Sequence, residues 1–400
     1  MFKFIQSVAG RAALSLTATP ILSQGAGIEW KALYQEVLSL YQKGQLDRAV
    51  VIANRALEVA QKNAGANHPD VAESLNILAV LYNIQGQYQL AEPHYQRSLA
   101  IREKTLGPDH PDVAASLNNL ALLYEAEGQY ALATPLYQRS LTIREKALGP
   151  DHPDVAESLN NLARHNSGQG QYTLAEPLYQ RSLVIKEKIY GSDHPAVAKS
   201  LNNLATLYNT QSQYALAEPL YKRSLAILEK ALGLDHPDVA TSMNNLATLY
   251  GAQGQYALAE LLYQRALVIK EKVYGPDHSD VANSLNNLAQ LYNTQSQYAL
   301  AEPLYKRSLA ILEKAQGLDH PDVATSLNNL ALLYESQEQY ALAEPLYQRS
   351  LEIKEKALGP DHPAVVTSLN NLAALYRATQ RVTEAVKLEQ QATRIQAIKR

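Results

Sequence analysis

The sequence contains no cysteine, and its 400 residues include only 2 Phe, 2 Met and 1 Trp. Without thiols there is no disulfide framework, no cysteine-ligated metal and no thiol nucleophile. Neither sign of charge is in excess: 36 Lys+Arg stand against 39 Asp+Glu, for a net charge of -3. That balance creates no field able to hold a polyanion through phosphate contacts, so nucleic acid is not an expected partner. No run approaches the ~20 apolar residues of a membrane span. Gly-Lys-Ser/Thr phosphate loops, His-Glu-x-x-His and Gly-x-Ser-x-Gly are also missing. No enzyme activity, metal or cofactor is therefore expected.

Tyrosine, by contrast, is abundant, with 25 residues. Such a bias arises when one short unit is copied many times, and the spacing supports copying. His68, His110, His152, His194, His236, His278, His320 and His362 lie 42 residues apart, and the columns begun by Tyr82, Tyr88 and Tyr95 place 21 of the 25 Tyr at the same step. The chain reads as one repeat array.

In the unit that starts at Pro111, Val113, Leu117, Leu120, Ala121 and Tyr124 follow the i, i+3, i+4 spacing of a helix with one buried stripe. Tyr130, Ala133, Leu136, Tyr137, Ser140, Leu141 and Ile143 do so again. Glu127-Gly128-Gln129 supplies the turn between the two, Leu148-Gly149-Pro150-Asp151-His152 ends the second helix, and Pro153 with Asp154 suits the start of the next. Pro135, inside the second helix, is expected to loosen or kink it. The recurring Glu-Pro pair reads as structural. A helix-turn-helix unit of this kind cannot bury its apolar face alone, so the expected fold is all-α, a right-handed α-solenoid of about nine units.

The unit resembles the tetratricopeptide repeat, with Leu117, Leu120-Ala121, Tyr124, Ala133, Tyr137 and Ser140 where that family places its packing residues. It is longer than the ~34 residues usual there. Leu-Asn-Asn-Leu-Ala-x-Leu-Tyr, Ala-Glu-Pro-Leu-Tyr and Gly-x-Asp-His-Pro-x-Val-Ala make it similar to the repeat domain of kinesin light chains and their relatives, including bacterial ones, over roughly residues 27–400. Kinesin light chains carry a long heptad coiled coil before their repeats, whereas here about two dozen residues precede the array. The resemblance thus implies a relative of the repeat domain, not a motor subunit.

Residues 1–26 read as a tail or capping segment, poor as a secretory signal, and the expected location is cytoplasmic. Within 27–400, a degenerate first unit covers 27–68, regular units 69–362 and a terminal capping unit 363–400. In the first, Tyr34 to Tyr41 and Leu46 to Val59 are the expected helices. In the last, the Tyr column becomes Glu389, as suits a helix that no further repeat covers.

Three groups of residues raise the question of function. The eight His are too far apart to share an ion, at about 20 Å for a two-helix layer, and in most units the His sits beside Asp and Pro at a loop–helix junction. Loop geometry is the expected role. Glu103, Glu145 and Glu187, in Arg/Lys-Glu-Lys triplets, read as solvated helix surface.

The third group lies on the first helix of each pair, which a solenoid of this class turns to its concave side. Ala115, Asn118, Leu122 and Glu125 share one stripe. The Asn column continues as Asn76, Asn118, Asn160, Asn202, Asn244, Asn286, Asn328 and Asn370. Asn is a mediocre helix former, so these need a reason. Either the amides grip the backbone of an extended peptide, or they bond from helix to helix and stiffen the stack. Kinesin light chains use Asn of this motif to hold cargo peptides, and the resemblance implies the same here.

The neighbouring columns vary. The first runs Glu73, Ala115, Glu157, Lys199, Thr241, Asn283, Thr325, Thr367; the second Val80, Leu122, Arg164, Thr206, Thr248, Gln290, Leu332, Ala374; the third Asn83, Glu125, Ser167, Asn209, Gly251, Asn293, Glu335, Arg377. These columns are expected to choose the ligand. Arg164, Lys199, Thr206, Thr248 and Gln290 are candidate contacts, and so few bases argue against the acidic cargo peptides of the family. The near-identical blocks 209–250 and 293–334 suit a multivalent protein ligand.

Two other functional classes stand beside this scaffold: a structural or self-associating solenoid, and the sensor arm of a signalling complex acting through a separate partner. One unit is irregular, with Arg164-His165-Asn166-Ser167-Gly168 where its neighbour has Leu122-Leu123-Tyr124-Glu125-Ala126. Unpaired burial would cost a few kcal/mol, so this helix end is expected to fray or open to water, as a tolerated local defect in preference to a hinge or a specific site, and restoring Leu-Leu-Tyr at 164–166 to raise the thermal midpoint.

Overall fold

The computed structural model describes residues 27–397. The expected tail at 1–26 lies outside them. The described residues form eighteen α-helices and no strand. The first helices of the pairs are α1 (Gly27–Gln42), α3 (Pro69–Ile84), α5 (Pro111–Ala126), α7 (Pro153–Gly168), α9 (Pro195–Thr210), α11 (Pro237–Ala252), α13 (Ser279–Thr294), α15 (Pro321–Ser336) and α17 (Pro363–Ala378). Their partners are α2 (Leu46–Ala64), α4 (Tyr88–Leu106), α6 (Tyr130–Leu148), α8 (Tyr172–Tyr190), α10 (Tyr214–Leu232), α12 (Tyr256–Tyr274), α14 (Tyr298–Gln316), α16 (Tyr340–Leu358) and α18 (Val382–Ala397). Nine helix pairs packed in sequence are an α-solenoid. The helices group into two compact units, Met1–His165 and Asn166–Arg400, the division falling within α7.

Each unit is held by the same few contacts. Ala columns such as Ala198, Ala240 and Ala217 are fully buried and let helices approach closely, while Val197, Leu201, Ile227, Val239 and Met243 fill one core cluster of the second unit. Truncating Leu201 to Ala there would cost on the order of 2–5 kcal/mol. Within a pair, the buried Ser of the second helix donates to a carbonyl of the first: Ser98 to Ala72, Ser140 to Ala114 and Ser224 to Ala198, at 2.7–2.8 Å. At the start of the array the single Trp, Trp30, is buried and donates its Nε1–H to Ser74 Oγ at 2.8 Å.

The local signals act largely as their chemistry dictates. Each of the eight columnar His accepts a backbone N–H two residues on at its Nδ1, as His110 does from Asp112 at 3.1 Å, and so caps the following helix. Among the described residues no group of three His, Asp or Glu is arranged around a metal position. The pair turn needs a left-handed residue, Gly128 at φ 71°, but Ser212, Ser296, Glu338 and Gln380 take the same place at φ 59°, 57°, 60° and 61°. Pro135 does not interrupt α6, which runs unbroken from Tyr130 to Leu148 with the ring exposed. Among the described residues no helix is long and apolar enough to cross a membrane.

Candidate functional site

In both units the odd-numbered helices also touch one another, α3 with α5, α9 with α11, α11 with α13 and α13 with α15. No two even-numbered helices meet as extensively among the described residues. The odd helices therefore form the inner row of each unit, and that row carries the Asn column.

The column is wired in two ways. In the first unit Asn119 Nδ2 donates to Asn76 Oδ1 at 2.9 Å and Asn161 Nδ2 to Asn118 Oδ1 at 3.0 Å. Asn76, Asn118 and Asn160 are all buried. Each bond joins the second Asn of one Asn-Asn pair to the Asn one repeat earlier, so here the amides stitch helix to helix.

On α9, α11 and α13 the amide oxygens of Asn202, Asn244 and Asn286 receive no such stitch from the following repeat. Asn202 and Asn244 donate instead to Ser242 and Ser284 Oγ, at 3.4 and 3.1 Å. The carbonyl oxygens of Asn202, Asn244 and Asn286 are buried and accept no hydrogen bond, and the same holds for Asn209 and Asn293 in the third variable column. The stitch resumes at the end, where Asn371 Nδ2 meets Asn328 Oδ1 at 2.8 Å, while Asn370 is exposed on α17.

The variable columns have a structural task that was not expected of them. A buried Tyr ring needs a partner for its hydroxyl, and the Tyr column of the even helices finds it there. Tyr137 donates to Glu125 Oε2 at 2.8 Å and Tyr347 to Glu335 Oε2 at 2.6 Å. Where those carboxylates are missing, Thr206 and Thr248 take over, at 2.9 Å from Tyr221 and 2.7 Å from Tyr263. At the last pair Glu389 replaces the Tyr and Arg377 answers it with two bonds of 2.6 and 2.7 Å. Much of the variation on this face thus tracks the core. Among the described residues Lys199 is an exposed cation on α9, and Gln290 is half-buried beside Asn293 and Asn286 in sequence.

The irregular repeat departs from expectation. Its helix α7 does not fray, and His165 is 1 % exposed, between the rings of Tyr130 and Tyr137 at centroid distances of 5.9 and 5.1 Å. Its Nε2 is 2.8 Å from Thr134 Oγ1, and its Nδ1 is 3.8 Å from Glu125 Oε2. Arg164 holds Glu125 with two bonds of 3.1 and 3.2 Å. Burial pushes the Glu125 carboxyl up, but the Arg164 guanidinium, the nearby His165 ring and the Tyr137 hydroxyl outweigh it and hold its pKa below the usual range. Thr134 stands where other repeats carry the Glu of Glu-Pro, whose role is to accept from the first-helix Tyr, as Glu92 does from Tyr124 and Glu176 from Tyr208, at 2.8 and 2.9 Å. The repeat has therefore exchanged a Tyr–Glu contact for a His–Thr one.

The triplet reading also needs amending, since the first base of the triplet is buried. Arg102 reaches Ser116 Oγ at 2.8 Å and pairs with Glu73, and Arg144 reaches Ser158 Oγ at 2.9 Å. Lys354 has only Ser368 Oγ, at 3.0 Å, and burial pushes its pKa down to about 8.

The chain matches the tetratricopeptide repeat over residues 31–104, 70–146, 112–188, 165–230, 208–272, 262–314, 280–356 and 322–397. Among curated proteins none matches. Solved structures similar to it include the nearly identical repeats described for a kinesin light chain of Podosopora anserina, with 30% identity over 51% of this chain and 97% of that one and a TM-score of 0.43. A Rap protein complexed with competence and sporulation factor is similar at 14% identity, with 93% of this chain and 98% of that one covered and a TM-score of 0.58. A signal-transduction ATPase from Pyrococcus horikoshii with a tetratricopeptide repeat sensor is similar at 16% identity, TM-score 0.50, with 91% of this chain but only 52% of that one covered. At such identities the last two show a common fold and nothing further.

Proposed function

Because the chain belongs to the tetratricopeptide-repeat family, matched by it from residue 31 to residue 397, we propose that it is a non-enzymatic scaffold. It binds extended peptide segments of partner proteins along the inner row of odd helices, and the grip is centred on α9, α11 and α13. The observation that carries this reading is the set of five buried amide oxygens there, on Asn202, Asn209, Asn244, Asn286 and Asn293, that accept no hydrogen bond. A buried acceptor left unmet costs about 1–3 kcal/mol. That cost is recovered when a donor arrives, and the backbone N–H groups of an extended peptide supply donors at regular intervals whatever its sequence. Lys199 is the charged member of the variable columns on these three helices, so the ligand segment carries little net charge.

The Asn-to-Asn bonds in the first unit and at Asn328 favour a second role for the same column, stiffening of the stack. The two roles divide the column by position. A pull-down in which Asn202, Asn244 and Asn286 are replaced by Ala tests the proposal. Proteins retained by the native chain are expected to be lost from the variant while its helix content is unchanged, and retention of the same proteins would refute the assignment of the site.

A further inference from the structure

In the third variable column only Gly251 has no side chain. It lies in the last turn of α11 without a positive φ, so nothing in its backbone calls for glycine. A Cβ at this position would meet one atom within 4 Å, Leu291 Cδ1 of α13 at 3.5 Å. The column here faces α13 across open space. Elsewhere that space is used: Glu125, of the same column, meets Arg164 of the second column on the next odd helix, 39 positions on, at 3.1 Å. The same step from Gly251 leads to Gln290. Gln290 is half-buried, and among the described residues its side-chain amide makes no hydrogen bond; the bond from Thr294 Oγ1, 2.9 Å, goes to its backbone carbonyl. A hydroxyl is left over beside it. Thr206 and Thr248 each bond the Tyr 15 positions on, and from Gln290 that step leads to Tyr305. Its ring is 2% exposed, its hydroxyl makes no hydrogen bond among the described residues, and burial alone pushes its pKa up. Asn293 Oδ1, one turn along α13 from Gln290, is a further unmet acceptor.

We propose that the gap between Gly251 and Gln290 is a side-chain pocket of the peptide groove, and that it takes a neutral carboxamide, the side chain of an Asn or Gln in the bound segment. The inference rests on the proposed function, because it names a residue of the peptide held there. A carboxamide donates and accepts together. The groups left over want both: Gln290 offers a donor and an acceptor, Tyr305 a donor and Asn293 an acceptor. A carboxylate can only accept and an ammonium can only donate, and each brings a charge. The variable columns of α11 and α13, Thr241, Thr248, Gly251, Asn283, Gln290 and Asn293, hold no opposite charge to meet it. The inner row already pairs amide with amide inside the fold, where Asn119 donates to Asn76 and Asn161 to Asn118 at 2.9 and 3.0 Å. At Gly251 the missing side chain leaves the second amide to be supplied by the ligand.

The probe is a phage-displayed library of random peptides selected on the full native chain. The selected peptides are expected to share an Asn or Gln at one position, and changing that residue to Leu should weaken binding about 10-fold. Gly251→Leu fills the gap and should weaken the unchanged peptide by a similar factor. Gln290→Leu should reverse the preference, so that the Leu form of the peptide binds better than the amide form. Leu is as good a helix former as Gln and a better one than Gly, and circular dichroism checks that both variants fold. Selected peptides without a shared Asn or Gln, or native affinity in Gly251→Leu, overturn the pocket. If those peptides are still lost from the variant with Ala at Asn202, Asn244 and Asn286, the groove stands and the pocket alone falls. If the native chain selects no peptide, or the triple variant binds as the native chain does, the proposed function falls and the pocket with it.

Discussion

The inner rows of α3–α5 and of α9–α13 are written with nearly the same residues and differ in what their amides do. In the first, Asn76 and Asn118 accept from the following repeat, and the polar face is closed on itself. In the second, Asn202, Asn244 and Asn286 leave their carbonyls unmet, and no hydrogen bond to them comes from Asn245, Asn287 or Asn329. The contrast is between an amide whose partners lie inside the fold, which ties one helix to the next, and an amide oxygen left unmet, which the proposed function assigns to a ligand. The buried cation column makes the same contrast, with Arg102 beside Glu73 and Lys354 beside a hydroxyl alone.

The largest effect is expected where the first unit is most tightly closed. Replacing Arg164 and His165 together by Leu strands Glu125 in a buried position with Tyr137 as its remaining named donor. The urea midpoint should fall by the equivalent of about 3 kcal/mol. This reverses the rise expected from the sequence, and a rise on measurement would mean that the Glu125 cluster contributes nothing.

Lys354 comes next. Its folded pKa, about 8, lies below the unfolded value of ~10.4. The unfolded chain therefore binds more protons between those two values, and stability should climb as pH rises from about 8 towards 10. Lys354→Met should abolish that climb and stabilise the protein at pH 7 by on the order of 2 kcal/mol. Thermal midpoints of both proteins at pH 7 and pH 9.5 measure it, and parallel changes would show that the amine is not the cause.

Smaller effects separate the two kinds of amide. Asn118→Ala should lower stability by ~1 kcal/mol, the net worth of one stitch, and Asn244→Ala by less, because it also removes an unmet acceptor. Equal losses in urea denaturation would erase the distinction between the rows. Smallest of all, Ser212→Gly relieves a left-handed residue at φ 59° and should add up to about 1 kcal/mol, visible as a rise in the melting temperature.

The architecture was legible because its signals are local. The 42-residue step of His and Tyr, the turn at Gly128 and the Pro that follows seven of the eight columnar His marked out the helix pairs, and the structure adds mainly length at the ends, with α2 reaching Ala64. Partnerships were not legible, since they join residues on separate helices: Tyr137 to Glu125 across a turn, and Tyr124 to Glu92 across 32 positions. One clue was in plain view. A repeat built with Tyr in place of Phe must give each buried hydroxyl a partner, and the columns that change from repeat to repeat are where many of those partners sit. The fraying expected at 164–168 failed for the same reason, as Thr134, the compensating residue, lies in the preceding helix pair.

The central claim is that the unmet amides of α9, α11 and α13 hold a peptide. It is tested most directly by fluorescence-anisotropy titration of a peptide from a captured partner against two variants. One carries Ala at Asn202, Asn244 and Asn286, the other at Asn76, Asn118 and Asn328. The account predicts at least a ~10-fold loss of affinity, about 1.4 kcal/mol, in the first and native affinity in the second. Native affinity in the first, or an equal loss in both, would contradict it.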